Sequence, residues 1–315
     1  MSDSHAAPFQ ALHNAKALLK PLLYQHATIA TDYEKRVREI AAGVVAACAG
    51  DSDAVLASVI LDNPSTFTVN HAVHVAAVAA VLGAKRGLLE DQLENLAAAA
   101  LTMNMSIAEL QDTLANQQAA PNALQKSSIE SHAKLSNKLL GQKKIKQRDW
   151  LNAVMQHHER FDGTGPLGMR GDAITELAQI LTLADRYVIS LLAKAVREFG
   201  ISAAFFSNTI RPGKEEEETL RDITALMGSY HPGLFVRLAN DEIGVVLRCG
   251  EVLEHPPVVS LGAKGALSLE TVQQRDTADA QFAVAEVLDP KMSYNKIKLC
   301  RLWGYPEVTA PPTAA

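Results

Sequence analysis

Hydrophobic and polar residues follow a helical rhythm along the chain as far as Tyr230 and a strand-like one beyond it. Residues 8–62 are Ala- and Leu-rich, with breaks near Gly50 and at Asn63-Pro64, which predicts an N-terminal helical region over residues 1–64. NHAVHVAAVAAVLG, residues 70–83, reads as a small-residue helix. AQILTLADRYVI, residues 178–189, reads as an apolar helix that carries Asp185 inside its hydrophobic face. Between them ENLAAAALTMNMSIAEL reads as one further helix and IESHAKLSNKLL as another, giving a helical domain over residues 65–229. After Tyr230-His231-Pro232-Gly233 the pattern changes. LFVRLANDEIGVVLRCG sets β-rich runs on either side of the turn pair Asn240-Asp241, and PPVVSLG continues the strand character, so residues 230–315 form a small β extension. The expected fold class is mainly α.

Composition narrows the setting. The 315 residues can hold two or three domains, and 48% hydrophobic with 21% charged residues is a globular balance. A net charge of −5 argues against nucleic-acid binding. No uninterrupted apolar run approaches a bilayer span and the start, MSDSHAAPFQ, lacks a signal-peptide core, so no membrane partner is expected. Cys48, Cys249 and Cys300 show no metal spacing and suit a reducing cytoplasm as buried thiols. Lys143, Lys144 and Lys146 read as a solvated face, and Glu215–Glu218 suit the positive end of the helix they open. The N-terminal helices are the candidate surface for protein partners or a homodimer.

The densest chemistry lies in residues 157–165, HHERFDGTG. Neutral imidazoles ligate transition metals, and Asp-Gly-Thr-Gly is turn chemistry, so His157 and His158 stand where a helix ends and its last side chains converge. Adjacent histidines within a regular helix would not face each other, so support must come from elsewhere. His71, His132 and Asp185 supply it; an Asp in an apolar helix is costly to bury without a partner, and a metal or a His is a natural one. Arg160 suits bidentate phosphate contacts. With Asp162, Gly163 and Gly165, whose small size lets backbone amides approach an anion, it forms a candidate ligand-binding turn. His74 reads as ordinary packing, and His5, His13, His26, His231 and His255 as structural or surface residues.

These blocks, in this order over about residues 60–250, resemble the HD-GYP branch of the HD superfamily of metal-dependent phosphohydrolases, with HHERFDGTGP matching that family's HHExxDGxGYP. The resemblance implies a helical HD-type domain, a bacterial cyclic di-GMP signalling role and divalent metal. It assigns His132, His157 and His158 to one ion, and His71 with Asp185 to the surviving half of the other. It also shows what is missing. Met103, Asn104 and Ile107 stand where the family has the His, Asp and Lys of its HDxGK motif. The Tyr before Pro166 is absent, Val188 replaces a second Asp, Phe67 replaces a Glu, and Arg211-Pro212 lies too far downstream for the family's RPY element.

Two-metal phosphoester hydrolysis needs ions about 3.5 to 4 Å apart sharing a bridging ligand. By resemblance the lost Asp is that bridge; Asn104 keeps its shape without its charge, and Met103 offers a soft thioether to hard or borderline ions. The expected protein is therefore a degenerate HD-GYP-like member that binds one ion (iron, manganese or zinc) rather than two, with weak or absent phosphodiesterase activity and cyclic di-GMP as ligand. Two alternatives stand beside it: an active cyclic di-GMP phosphodiesterase using a reduced metal centre, and a protein-interaction module with an empty pocket.

Overall fold

A computed structural model of the chain describes residues 7–28, 31–61, 66–199, 223, 230–249, 254–263, 267–288 and 296–309. Asn63-Pro64, Arg211-Pro212 and Glu215–Glu218 lie outside these residues. In chain order the helices are α1 (Pro8–Tyr24), α2 (Tyr33–Gly50), α3 (Ser52–Leu61), α4 (Phe67–Lys85), α5 (Glu90–Thr102), α6 (Ala108–Asn116), α7 (Ala123–Gln142), α8 (Arg148–Gln156) and α9 (Glu176–Phe199). The strands are β1 (Phe235–Leu238), β2 (Glu242–Val246), β3 (Val258–Ala263), β4 (Gln273–Arg275) and β5 (Val284–Val287). The fold is mainly α with a small C-terminal antiparallel sheet, as the hydrophobic rhythm predicts. Contacts divide it into a helical unit (Ala11–Ala49, Pro64–Arg211 and Pro311–Ala315) and a sheet unit (Met1–Gln10, Gly50–Asn63 and Pro212–Ala310), so α3 clusters with the strands.

The helical unit is built around α4. From Thr68 to Gly83 every residue of α4 is buried, which a sequence of Ala, Val and Leu on all sides requires, and α5, α6 and α9 pack on it. Contrary to the expectation that no run approaches a bilayer span, α4 is long and apolar enough by length and composition to cross one. However, 89% of that stretch is buried inside the protein, which makes it a core helix. The α7 start is fixed by a reciprocal cap: Gln125 N donates to Asn122 Oδ1 at 2.9 Å and Asn122 N to Gln125 Oε1 at 2.9 Å. Trp150 of α8 is fully buried and donates its indole N–H to Thr102 Oγ1 of α5 at 2.9 Å.

The helix expected over residues 94–110 is instead broken. α5 ends at Thr102, a 3₁₀ turn spans Met105–Ile107, and α6 begins at Ala108. Asn104 takes φ −105° and ψ 11° at the break. The turn is tied to α7 because Ser106 N donates to Ser136 Oγ at 3.2 Å and Ser106 Oγ to the His132 carbonyl at 3.0 Å. Short polar side chains favour such breaks by offering the backbone other partners. Lys143 also departs from the solvated face expected of it: it donates to the His26 carbonyl and lies 5.6 Å from the Tyr33 ring centre. Cys48 and Cys300 are buried as expected, whereas Cys249 is only half-buried.

In the sheet unit the strands run β4-β3-β2-β1-β5, all neighbours antiparallel. β1 and β2 join through the turn at Asn240-Asp241, where Asp241 adopts φ 64° and donates its N–H to the Leu238 carbonyl at 2.9 Å. Both sheet faces are covered. Phe235, Ile243, Val245 and Leu261 pack with Ala57 and Leu61 of α3, while Val236, Leu238, Val246 and Val258 pack together on the other face. Gly233, at φ 89°, brings the chain so close to α3 that a Cβ would lie 3.0 Å from the Ala57 carbonyl oxygen.

Arg275 grips Glu242 with two hydrogen bonds, Nε to Oε2 at 2.7 Å and Nη2 to Oε1 at 2.8 Å, and this grip holds the Glu242 carboxyl down at about 2. A depressed acid stabilises the fold above its unfolded value and loses that contribution as pH falls toward the folded one. Because the pair is half-buried and still reached by solvent, its contribution is about 0.5 to 1 kcal/mol. Glu242→Gln is expected to lower the unfolding midpoint at pH 7, and the gap from wild type should shrink between about pH 4.5 and pH 2. A pH-independent gap in thermal melts would refute this account.

Candidate metal centre

Two helices aim three imidazoles at one point. His132, buried on α7, places Nδ1 2.5 Å from the Ile129 carbonyl, and His157, the residue that closes α8, places Nδ1 2.7 Å from the Val154 carbonyl. A carbonyl can only accept, so each Nδ1 carries the hydrogen and each Nε2 presents a lone pair. Those Nε2 atoms are 3.1 Å apart, and His158 Nε2 is 3.2 Å from that of His132. The adjacent histidines converge because α8 ends at Gln156, which frees His158 from helical spacing. Among the described residues His132, His157 and His158 are the group of such donors that could hold a metal, their ligand atoms all lying within 4.8 Å of one another.

Facing lone pairs at this separation repel unless a cation or proton stands between them. Burial, then the neighbouring His157, pushes the His132 imidazole down to about 4, and burial, then His157 and His132, holds His158 well below its ordinary range. A proton is thus disfavoured where the lone pairs meet. Three neutral imidazoles, two of them with the other nitrogen tied to a carbonyl, fit a borderline divalent ion.

The remaining predicted ligands form a separate pair. His71 Nε2 is 2.8 Å from Asp185 Oδ1, both residues are buried, and the Phe67 ring stacks on His71 with centroids 5.5 Å apart. The buried His71 Nδ1 has no hydrogen-bond partner. Burial alone would raise the Asp185 carboxyl, but the His71 hydrogen bond and the nearby His71, His157 and His132 outweigh it and lower it. Asp185 is therefore a carboxylate within electrostatic reach of the triad. Met103 is fully buried, Ile107 is buried and Asn104 lies at the helix break, so this segment lies beside His132 through the Ser106 contacts without bringing a carboxylate or imidazole.

The turn after the histidines is anchored from inside. Buried Glu159 accepts from Leu167 N at 2.7 Å and Met169 N at 2.8 Å, and Gln156 Oε1 accepts from Thr175 N at 2.9 Å. Asp162 Oδ1 accepts from Thr164 N at 2.8 Å and Thr164 Oγ1 at 2.7 Å, while Arg160 Nη1 reaches that hydroxyl at 3.4 Å. Gly163, at φ 81°, donates its N–H to the Arg160 carbonyl at 2.9 Å. At Gly165 a Cβ would lie 2.7 Å from Glu159 Cα, so small size there lets the turn fold onto its own backbone.

Sequence reasoning passed over Thr182 and Arg186. Thr182 Oγ1 donates to the His157 carbonyl at 2.7 Å, turning this face of α9 toward the triad, and Arg186 follows one turn later beside Asp185. The signal was present as a second charge in an otherwise apolar helix. His74 is buried as expected, but its Nε2 lies 3.0 Å from the Nζ of buried Lys16, whose burial lowers it to about 7.

Residues 54–198 match the family described as HD domain. Among solved structures, the chain is similar to Bd1817, an HDG"Y"P protein from Bdellovibrio bacteriovorus, at 15% identity and a TM-score of 0.53, covering 74% of this chain and 71% of that one. That likeness is one of fold. No curated protein matches the chain.

Gly165→Ala is expected to destabilise the protein by about 1 to 3 kcal/mol, since the added carbon meets backbone rather than a movable side chain. Gly141→Ala, in α7 with open space around it, should leave stability level with wild type or slightly above. Equal denaturant midpoints for the two variants would overturn the packing reading of Gly165.

Proposed function

We propose that this chain is a degenerate HD-GYP-like protein of cyclic di-GMP signalling that holds one divalent ion; the match of residues 54–198 to the HD domain family and the fold shared with an HDG"Y"P protein support this reading. The observation that carries the proposal is the convergence of the His132, His157 and His158 Nε2 atoms in a fold whose Met103 and Asn104 bring no bridging carboxylate. Iron, manganese and zinc all suit three imidazoles. When bound, such an ion supplies Lewis acidity toward a phosphoryl oxygen. Asp185 accepts the His71 hydrogen bond and stays ionised, and Glu159 and Gln156 hold the turn that carries Arg160. A cytoplasmic setting belongs to the same proposal.

The intact His71–Asp185 pair favours a second reading, in which a reduced centre retains phosphodiesterase activity. Hydrolysis separates the two. Cyclic di-GMP should be cleaved at least about 100-fold more slowly than by a relative with the full motif, because losing ligands outweighs the 10- to 100-fold typical of outer partners.

Purified protein supplied with iron, manganese and zinc should carry about one ion per chain by elemental analysis, the three-donor set being sufficient for one. His132→Ala or His157→Ala should abolish that content, and Met103→His with Asn104→Asp should raise it toward two. Metal-free wild type after such supply would sink the proposal, and rapid hydrolysis by the unaltered protein would leave only the enzymatic reading.

A further inference from the structure

Four buried polar side chains interrupt the apolar helix α4: Thr68, Asn70, His71 and His74. Thr68 Oγ1 donates to the Ala108 carbonyl at 2.8 Å, His71 Nε2 meets Asp185 Oδ1 at 2.8 Å, and His74 Nε2 lies 3.0 Å from Lys16 Nζ. Asn70 differs from them. It is only 6% exposed, yet neither its Oδ1 nor its Nδ2 has a hydrogen-bond partner among the described residues, and the buried Nδ1 of His71 beside it has none either. Buried polar atoms rarely stay unpaired, so three on adjacent residues mark a place where something else meets them.

Helical projection sets the side they face. At about 100° per residue, His74 points between Asn70 and His71, one turn further along. Lys16 of α1 sits on His74, and Tyr24, about two turns later in α1, donates to Asp112, whose other oxygen accepts from Thr68 N at 3.0 Å. α1 therefore runs antiparallel along this side of α4 and roofs the space at Asn70 and His71. The Phe67 ring, stacked on His71, covers the imidazole from the helix start.

Chemistry then decides what fits. In a His–Asp pair the hydrogen rests on the imidazole, the stronger base, so Nε2 donates to Asp185 and Nδ1 of the neutral ring is an acceptor. Asn70 adds an acceptor in Oδ1 and two donors on Nδ2. An enclosed place with both kinds of group unpaired suits water, which donates twice and accepts twice.

We propose that Asn70 anchors a buried water that donates to His71 Nδ1 and so commits the Nε2 side of His71 to Asp185. Asn70 is then a positioning residue, acting through the water and His71 to aim the Asp185 carboxylate. An imidazole whose Nε2 carries the hydrogen has no lone pair there for a metal, so this line of bonds withdraws His71 from the ligand role that the family resemblance gives it. The proposal stands whether or not an ion occupies the triad.

The test is nitrogen NMR of full-length protein labelled at histidine, without and with added zinc, with His71 assigned by comparison with His71→Gln. Wild type should show the His71 hydrogen on Nε2, magnetisation passing to that ring from a long-lived water, and neither nitrogen shifting to a metal-bound position when zinc is added. Asn70→Leu, which fills the space with apolar atoms, should lose the water signal and exchange the Nε2 hydrogen about tenfold faster, the equivalent of one neutral hydrogen bond. Asn70→Val carries the same expectation if the Leu variant fails to fold. Hydrogen on Nδ1 alone in wild type, no long-lived water, or His71 signals unchanged by either substitution would each overturn the proposal. Zinc on His71 Nε2 overturns it in favour of a second ion. A triad that takes no zinc, with the water in place, upholds it and sinks only the metal reading.

Discussion

Three imidazole lone pairs directed at one buried point are the constraint around which the helical unit is organised. Two of them, on His132 and His157, depend on a hydrogen bond made on the far side of the ring. The Ile129 and Val154 carbonyls accept from Nδ1 of His132 and His157, which leaves Nε2 of each as an acceptor facing its counterpart. Facing lone pairs repel and a cation would relieve them, so the α7 and α8 backbone orients the His132 and His157 rings as a metal site would require. Burial strengthens the bias by making protonation the dearer way to separate the lone pairs.

Holding α7 and α8 at that separation falls to the surrounding helices. α4, buried on every side, gives α5 and α9 a common surface; α5 in turn binds Trp150 of α8 through Thr102, and the 3₁₀ turn after α5 binds α7 through Ser106 and Ser136. From α9, Thr182 takes the His157 carbonyl that the end of α8 leaves unused. These bonds are single, neutral and individually modest, at about 0.5 to 1.5 kcal/mol each. Their effect is positional: they hold the elements that bring the Nε2 atoms to 3.1 and 3.2 Å from one another.

Much of this was legible beforehand, and the reasons differ by residue. The paired histidines before Asp-Gly-Thr-Gly signalled a helix end because turn chemistry is local, and α8 closes there. The Asn240-Asp241 hairpin was readable for the same reason. Asp185 was readable because an apolar helix does not bury a carboxylate without a partner, and His71 is that partner. The break at Asn104 was not, since it is set by hydrogen bonds from Ser106 to a helix about 30 residues away. The clustering of α3 with the strands was equally hidden, because Ala57 and Leu61 look like any helical apolar face until Phe235 and Leu261 pack on them. Arg186 was passed over because its neighbourhood is fixed by Thr182, a residue with no chemistry of its own in sequence.

The segment from Met103 to Ile107 contributes scaffolding without charge. Met103 is apolar and fully buried, so it contributes packing where the family resemblance puts a metal-binding His; Ile107 is buried too. Asn104 accommodates the backbone break with an uncharged side chain. The segment therefore sits against α7 without bringing negative charge, and His71 and Asp185 are paired to each other. On the proposed reading, a pocket so arranged has the geometry for one cation and lacks the counter-charge for two.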